Sequence, residues 1–225
     1  MSLTVAALWR YPVKTMAGER LVRARLTESG IEGDRLVRVR GPEGVRTSRR
    51  HHRLLGLRGT LDVHGRPLVN GRPWNGSDAL ADVRDAAGED AWLEAAPVDE
   101  RFDVAPLLVV TDGAAAAFGR DVRRLRPNLV IAGVEGLDER TWPGGELHIG
   151  TAIVRLDSLR GRCPMTTVDP DTLARDPEVL RDIGRRFGGR LGLNAWVLRE
   201  GVIREGNDVT LVPPKPEAMT TVEVT

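Results

Sequence analysis

A single sulfur nucleophile stands in this sequence: Cys163, within Gly161-Arg162-Cys163-Pro164-Met165-Thr166-Thr167-Val168-Asp169-Pro170. The segment follows a predicted strand and is rich in turn formers, so it reads as a loop. A thiolate there could ligate a soft metal or carry sulfur, and Arg162 beside it supplies the positive charge a thiolate needs. The plainer alternative is a small buried hydrophobe. Local composition alone favours that alternative somewhat, and Arg162, Thr166, Thr167 and Asp169 narrow the gap, because an apolar core position seldom comes so wrapped in polar groups.

The remaining chemistry on offer is cationic. Tyr11-Pro12-Val13-Lys14-Thr15 ends the first predicted strand, and Pro12 cannot donate to a ladder, so the chain leaves the sheet and presents an ammonium beside a hydroxyl. Arg46-Thr47-Ser48-Arg49-Arg50-His51-His52-Arg53 is the densest basic stretch. It lacks aromatic interleaving for base stacking, and its adjacent histidines would point to opposite faces of a strand, which leaves bidentate phosphate binding by arginine as the better reading. Arg126-Pro127-Asn128 adds a guanidinium and an amide able to donate and accept. Gly30-Ile31-Glu32-Gly33-Asp34-Arg35 reads as a structural turn with Asp34 and Arg35 paired locally, and Asp169-Pro170-Asp171-Thr172 as turn chemistry. No catalytic triad, P-loop or dinucleotide fingerprint can be argued.

These residues need a scaffold of short strands. Leu3–Trp9, Arg20–Leu26, Arg35–Arg40, Thr60–Val63, Pro67–Val69 and Ala91–Ala95 read as strands, with His64-Gly65 and Asn70-Gly71 at tight turns. Asp78–Val83 fits a short helix or a loop. A charged stretch around Val98–Val104 marks a seam, dividing the chain into an N-terminal β domain (1–97) and a second domain (98–225). Pro106–Thr111 and Arg126–Ala132 read as strands, Ala114–Phe118 as a short helix, and Glu146–Asp157 as a hairpin turning at Ile149-Gly150. The one strong helix is Pro177–Phe187, capped by Asp176 and carrying Val179, Leu180, Ile183 and Phe187 on one face. Asn194–Leu198, Val202–Arg204 and Asp208–Val212 close the pattern, with a loose tail after Pro213. The expectation is a mainly β (α+β) protein of packed β-barrel units with few short helices.

Bulk composition narrows the partners. The 225 residues are 41% hydrophobic, enough for a sizeable core, and 33 basic against 32 acidic residues give a net charge of +1. That balance provides no global field for nucleic acid or an anionic membrane, so any anion site must be built locally. One cysteine rules out an internal disulfide and a CxxC metal site. The absence of a long apolar run and of a secretory pattern makes the expectation cytoplasmic. Of the 33 basic residues 31 are arginine, which singles out Lys14 as a compact ammonium.

In this order, YPVKT, GIEGDR, TSR, RPN and GRCPMTTVDPDT resemble the MOSC family with its N-terminal β-barrel partner, in particular the mitochondrial amidoxime-reducing components and their bacterial relatives. The resemblance runs from about Val5 to Val212. It implies a molybdenum cofactor (a molybdenum–molybdopterin) with the Cys163 sulfur on the metal. It implies cofactor contacts from Lys14, Thr15, Arg49, Arg126 and Asn128, with Arg162 and Thr166 beside the metal position and Thr111 and Asp112 near another contact. The implied activity is reduction of N-hydroxylated or otherwise N-oxygenated small molecules, with electrons from a separate donor protein. A carrier of cofactor or sulfur using the same cysteine is the alternative, and an unrelated β-barrel binding protein with a structural cysteine is a third. Thr15 and Gly161 stand where relatives commonly have serine, and His52 where proline is frequent.

Overall fold

The computed structural model describes residues 2–214, so the expected loose tail from 215 onward lies outside the described residues. Seven strands close into a barrel: β1 (Leu3–Arg10), β2 (Leu107–Thr111), β3 (Leu129–Ala132), β4 (Glu146–Ile149), β5 (Ala152–Gly161), β6 (Arg190–Arg199) and β7 (Asp208–Val212). Their order around the barrel is β3-β2-β6-β5-β4-β7-β1, and β1 closes it by pairing antiparallel with β3. Only β2 and β3 run parallel, as expected where a helix connects them. The fully buried β2 is an unbroken Leu-Leu-Val-Val-Thr run, whereas β5 alternates buried and more exposed residues over its first half. Val5, Leu8, Val109, Leu129, Ile131, Leu147, Val154, Leu156 and Leu193 fill the interior.

Packing crosses the seam near residue 97. Ala24, Leu26 and Ile31 share the barrel core, and Arg23–Thr27 pairs with Gly201–Arg204. The rest of the N-terminal half forms a smaller unit. Val37–Gly41 pairs with Trp92–Ala95, and Gly59–Leu61 pairs with Pro67–Val69. Both sheets close over a second core of Val13, Met16, Val39, Leu54 and Val69. The undecided Asp78–Val83 stretch is part of a full helix, α1 (Ser77–Ala87), whose Ala79, Val83 and Ala87 are buried against that core. Small alanines at helical spacing give little hydrophobic signal, which is why the stretch also fits a loop.

Two further helices pack outside the barrel. In α2 (Asp112–Phe118) the Thr111 hydroxyl accepts from Ala114 N–H at 3.0 Å and caps the first turn. In α3 (Pro177–Phe187) Asp176 accepts from Glu178 N–H at 3.0 Å, and Gly188 ends the helix at φ 62°. Val179, Ile183 and Phe187 meet Leu108, Val110 and Phe118 in a third core as the sequence spacing anticipates, whereas Leu180, expected on the same face, is only part-buried and lies outside that core.

The two units are joined by a segment that leaves β1 at Tyr11 and runs along the smaller unit, where Lys14 N–H donates to Val37 O at 2.8 Å. A buried carboxylate holds this crossing. Asp34, 1% exposed, accepts from Tyr11 N–H at 2.6 Å and from Asn128 Nδ2 at 3.1 Å, and pairs with Arg35. Burial pushes the Asp34 carboxyl up, against the pull of Arg35, Tyr11 N–H and Asn128. Asp34→Ala strands a backbone N–H, an amide and a guanidinium together. Removing one partner of a buried ion pair costs ~3–5 kcal/mol, so the unfolding free energy extrapolated from urea titration is expected to fall by that amount, with a lower midpoint and an unchanged slope.

Candidate functional site

The crossing, the turn at Arg35, the Thr47–Arg49 loop, the linker Phe102–Ala105, the start of β2, the segment just before β3, the end of β5 and the middle of β6 meet around a cleft of about 230 Å³. Cys163 opens onto it. The sulfur's position follows from local chain chemistry. β5 stops at Gly161, Arg162 N–H donates to Gly189 O at 2.9 Å, and Pro164 starts a single 3-10 turn. Thr166 donates its hydroxyl to Cys163 O at 2.9 Å and its backbone N–H to the same oxygen at 3.0 Å. Arg124 grips the turn from outside, reaching Thr166 O at 3.3 Å and Asp169 at 2.8 Å. Cys163 is therefore a fixed, half-buried thiol on a braced turn.

Seven cations line the cleft: Lys14, Arg35, Arg49, Arg124, Arg126, Arg160 and Arg162. Some are answered. Lys14 and Arg49 both pair with Asp103, at 2.8 and 2.6 Å, Arg35 pairs with Asp34, and Arg124 pairs with Asp169. Burial would lower the Arg49 guanidinium, but its contacts with Cys163 and Asp103 win and hold it above its usual range. Among the described residues no carboxylate pairs with Arg126, Arg160 or Arg162. Arg126 donates to Met16 O at 2.7 Å and lies 4.2 Å over the Tyr11 ring, and Arg162 donates to Leu125 O at 2.7 Å. Burial pushes Arg126 and Arg162 down to about 10, with Tyr11 and Cys163 pulling the other way. Tyr11, which donates to Pro127 O at 3.0 Å, is pushed up to about 12 by the same burial.

Backbone strain gathers at the same place. Of five described non-glycine residues at positive φ, three line the cleft: Thr15 (73°), Arg35 (52°) and Arg126 (56°). For β-branched Thr15 this conformation is a genuine outlier. Its hydroxyl is buried without a partner, as is Arg162 Nε. The strained Thr15 hydroxyl and the Arg162 Nε, both buried and without a protein partner in the same cleft, are donors that an anion could engage.

Of the ten residues singled out in the sequence, Cys163, Lys14, Thr15, Arg49, Arg126, Asn128 and Arg162 line this cleft. Thr111, Asp112 and Thr166 do not. Thr111 caps α2 and donates to Glu139 at 3.2 Å, and Asp112 accepts from Gly133 and Val134 N–H, tying down the loop after β3. Thr166 is fully buried beneath the cysteine turn. Asn128 borders the cleft, but its amide is spent on the fold, accepting from Leu108 N–H and donating to Trp9 O and Asp34. Arg35, Asp103, Arg124 and Arg160 also line the cleft without having been singled out for it. Arg160 could have been found, two residues before Arg162 on an alternating strand. Asp103 is brought in by the linker, which leaves no local signal.

Among the described residues no three His, Cys, Asp or Glu side chains gather as a site for a bare metal ion. One thiol among uncompensated cations fits instead a metal carried on an anionic organic ligand. A second cavity, about 540 Å³, shares Arg124, Arg126 and Met165 with the first but does not reach Cys163. No described helix is long and apolar enough to cross a membrane.

Comparison with known proteins agrees with this geometry. The MOSC N-terminal beta barrel domain matches residues 2–95 and the MOSC domain residues 110–210. Mitochondrial amidoxime reducing component 2 of Macaca fascicularis is 28% identical, over 75% of this chain and 68% of that protein. Its Homo sapiens counterpart is 27% identical over the same shares. Molybdenum cofactor sulfurase of Anopheles gambiae is 29% identical over 76% of this chain but only 18% of its own length. The crystal structure of the YUAD protein from Bacillus subtilis shares the fold, with TM-score 0.53 and 13% identity, covering 96% of this chain and 98% of that one. Closed barrel, N-terminal partner unit and matched segments together make this chain a member of the MOSC family, a MOSC domain preceded by a MOSC N-terminal beta barrel domain.

Proposed function

We propose that the cleft binds a molybdenum cofactor with the Cys163 thiolate on the metal, and that the loaded protein reduces N-hydroxylated or other N-oxygenated small molecules. The observation that carries this reading is the convergence of Arg126, Arg162 and the strained, unpartnered Thr15 hydroxyl on one braced cysteine. A cofactor of this kind brings its own anionic phosphate and sulfur ligands, so the protein need contribute only cations, hydroxyls and one thiolate. Lys14, Thr15, Arg126 and Arg162 would hold the anionic parts, while Arg49 steadies Cys163 against Asp103. The bound cofactor supplies the redox chemistry. Reduction of an N-hydroxyl group consumes two electrons and two protons, breaks the N–O bond and releases water. The electrons would come from a separate donor protein.

The chain's own residues set the conditions for that step. Thr166 and Arg124 fix where the sulfur points, and burial of Arg126 and Arg162 strengthens their attraction for an anion. The molybdenum cofactor sulfurases among the relatives support a second reading, in which Cys163 presents cofactor or sulfur to a client. A carrier would be occupied without steady turnover.

Elemental analysis and pterin fluorescence on protein made in a host with active cofactor synthesis test the proposal. Near-stoichiometric metal and pterin are expected, with metal lost or strongly reduced in Cys163→Ala. No metal and no pterin after reconstitution would sink it. N-hydroxylated substrates with an artificial donor then separate reductase from carrier.

The cationic deficit predicts a second effect. Phosphate at ten times its dissociation constant should stabilise the cofactor-free protein by ~1.4 kcal/mol, roughly 3–6 °C in Tm, beyond chloride at equal ionic strength. The double variant Arg126→Gln/Arg162→Gln should lose the increment. The sign with pH follows from the depressed guanidiniums. Below about 10 both are charged and burden the fold, so the phosphate effect should be flat between pH 8 and 9, where phosphate itself is already almost wholly dianionic. Above about 10 they release protons, the burden lifts, and phosphate affinity should fall. An increment insensitive to the double substitution would contradict the assignment.

A further inference from the structure

Arg160 is the cleft cation that neither an acidic partner nor the proposed cofactor contacts absorb. It lies near the end of β5, where the ladder with β6 shifts register between Leu156 and Ser158 and again between Leu159 and Gly161. Such bulges re-aim side chains next to sites. Its guanidinium is not left to wander. Arg160 Nη1 donates to Asn194 Oδ1 at 2.9 Å, and Asn194, 4% exposed, donates from Nδ2 to Ser158 Oγ at 3.0 Å. Ser158 and Asn194 are themselves cross-strand partners. The guanidinium can only donate, so the amide oxygen must face Arg160 while Nδ2 turns to Ser158, and that oxygen serves as a fixed rest for one edge of the guanidinium.

The other edge is free to act. No carboxylate lies in contact with it, since the one cleft acid near it, Asp103, is engaged by Lys14 and Arg49. Burial depresses the Arg160 guanidinium, with Asp103 and Cys163 pulling it back only in part. There is also room beside it. A methyl group placed on Gly161, between Arg160 and Arg162, would meet no atom within 4 Å, and the φ of Gly161 does not demand glycine.

We infer that Arg160, aimed by Asn194, is an oxyanion-recognition point separate from the Arg126–Arg162 pair, and that the molecule brought to Cys163 carries a carboxylate. A braced guanidinium with its free N–H groups facing an open cleft matches the flat fork of a carboxylate, which a point charge would not discriminate. The substrate class named here rests on the proposed function, whereas the anion site itself does not.

The test is calorimetric titration of the purified chain with benzoate, using benzamide as the neutral control, in saturating inorganic phosphate that fills the Arg126–Arg162 region. Benzoate should bind with phosphate present and benzamide should not. Arg160→Gln should weaken benzoate at least tenfold while leaving phosphate affinity unchanged, and Asn194→Ala should weaken it severalfold through lost aim. Arg160→Lys keeps the charge but loses the fork, so it serves should the glutamine variant fail to fold, and it should also bind benzoate more weakly. Equal benzoate affinity in the folded Arg160 variants, competition between benzoate and phosphate, or no benzoate binding by the parent would each overturn the inference. Metal and pterin content of the same preparations reads the cofactor proposal separately, so benzoate binding without cofactor would leave this site standing and remove only its substrate.

Discussion

The buried carboxylate of Asp34 is the point on which the architecture turns. It lies where the chain passes from the barrel into the smaller unit, and its three donors come from different places: a backbone N–H at Tyr11, the neighbouring Arg35, and the amide of Asn128 more than ninety residues away. Asn128 accepts in turn from β2 and donates to β1. One carboxylate thereby locks the crossing segment to the start of β3. Lys14 and Thr15 lie just beyond one end of this lock and Arg126 just before the other, so the cleft's cations are held by the fold rather than by one another. Such a buried network is tolerable only because it is well satisfied.

What the fold leaves unsatisfied lies next to what it satisfies. A chain with net charge +1 gathers seven cations in one cleft and answers several of them with only three carboxylates. Three guanidiniums and a strained hydroxyl are left over, all near the one thiol. Mutual repulsion and burial both work against this arrangement, as the lowered values at Arg126, Arg160 and Arg162 show. An anion that enters recovers that cost as binding energy, so the same deficit that burdens the empty protein provides affinity and selectivity for a negatively charged guest.

Much of this was legible in the sequence, for definable reasons. Short alternating runs and glycine turns pointed to β units, and the Asp176–Pro177 start gave α3 because capping and apolar periodicity agreed. Lys14, Thr15, Arg126, Arg162 and Cys163 were named through the ordered motifs that resemble the MOSC family, because local chemistry alone fits a solvated strand end or a structural cysteine as well as a cofactor site. Closure of the barrel by β1 against β3 could not be read, since strand partners more than a hundred residues apart leave no local trace. The same limit hid Asp103 and the spending of Asn128 on Asp34. Thr111 and Asp112 lie outside the cleft lining: a hydroxyl and a carboxylate at a strand-to-helix junction suit a cap and a loop tie as well as a ligand, and here they cap α2 and tie down the loop after β3.

The central claim is that the Cys163 sulfur ligates the cofactor metal. The most direct measurement is molybdenum K-edge absorption on protein loaded with cofactor, comparing the parent chain with Cys163→Ser at matched metal content. This account predicts that the substitution removes one sulfur from the metal's nearest shell and replaces it with a lighter scatterer. Identical spectra at equal loading would show that the thiolate is not a ligand and would contradict it.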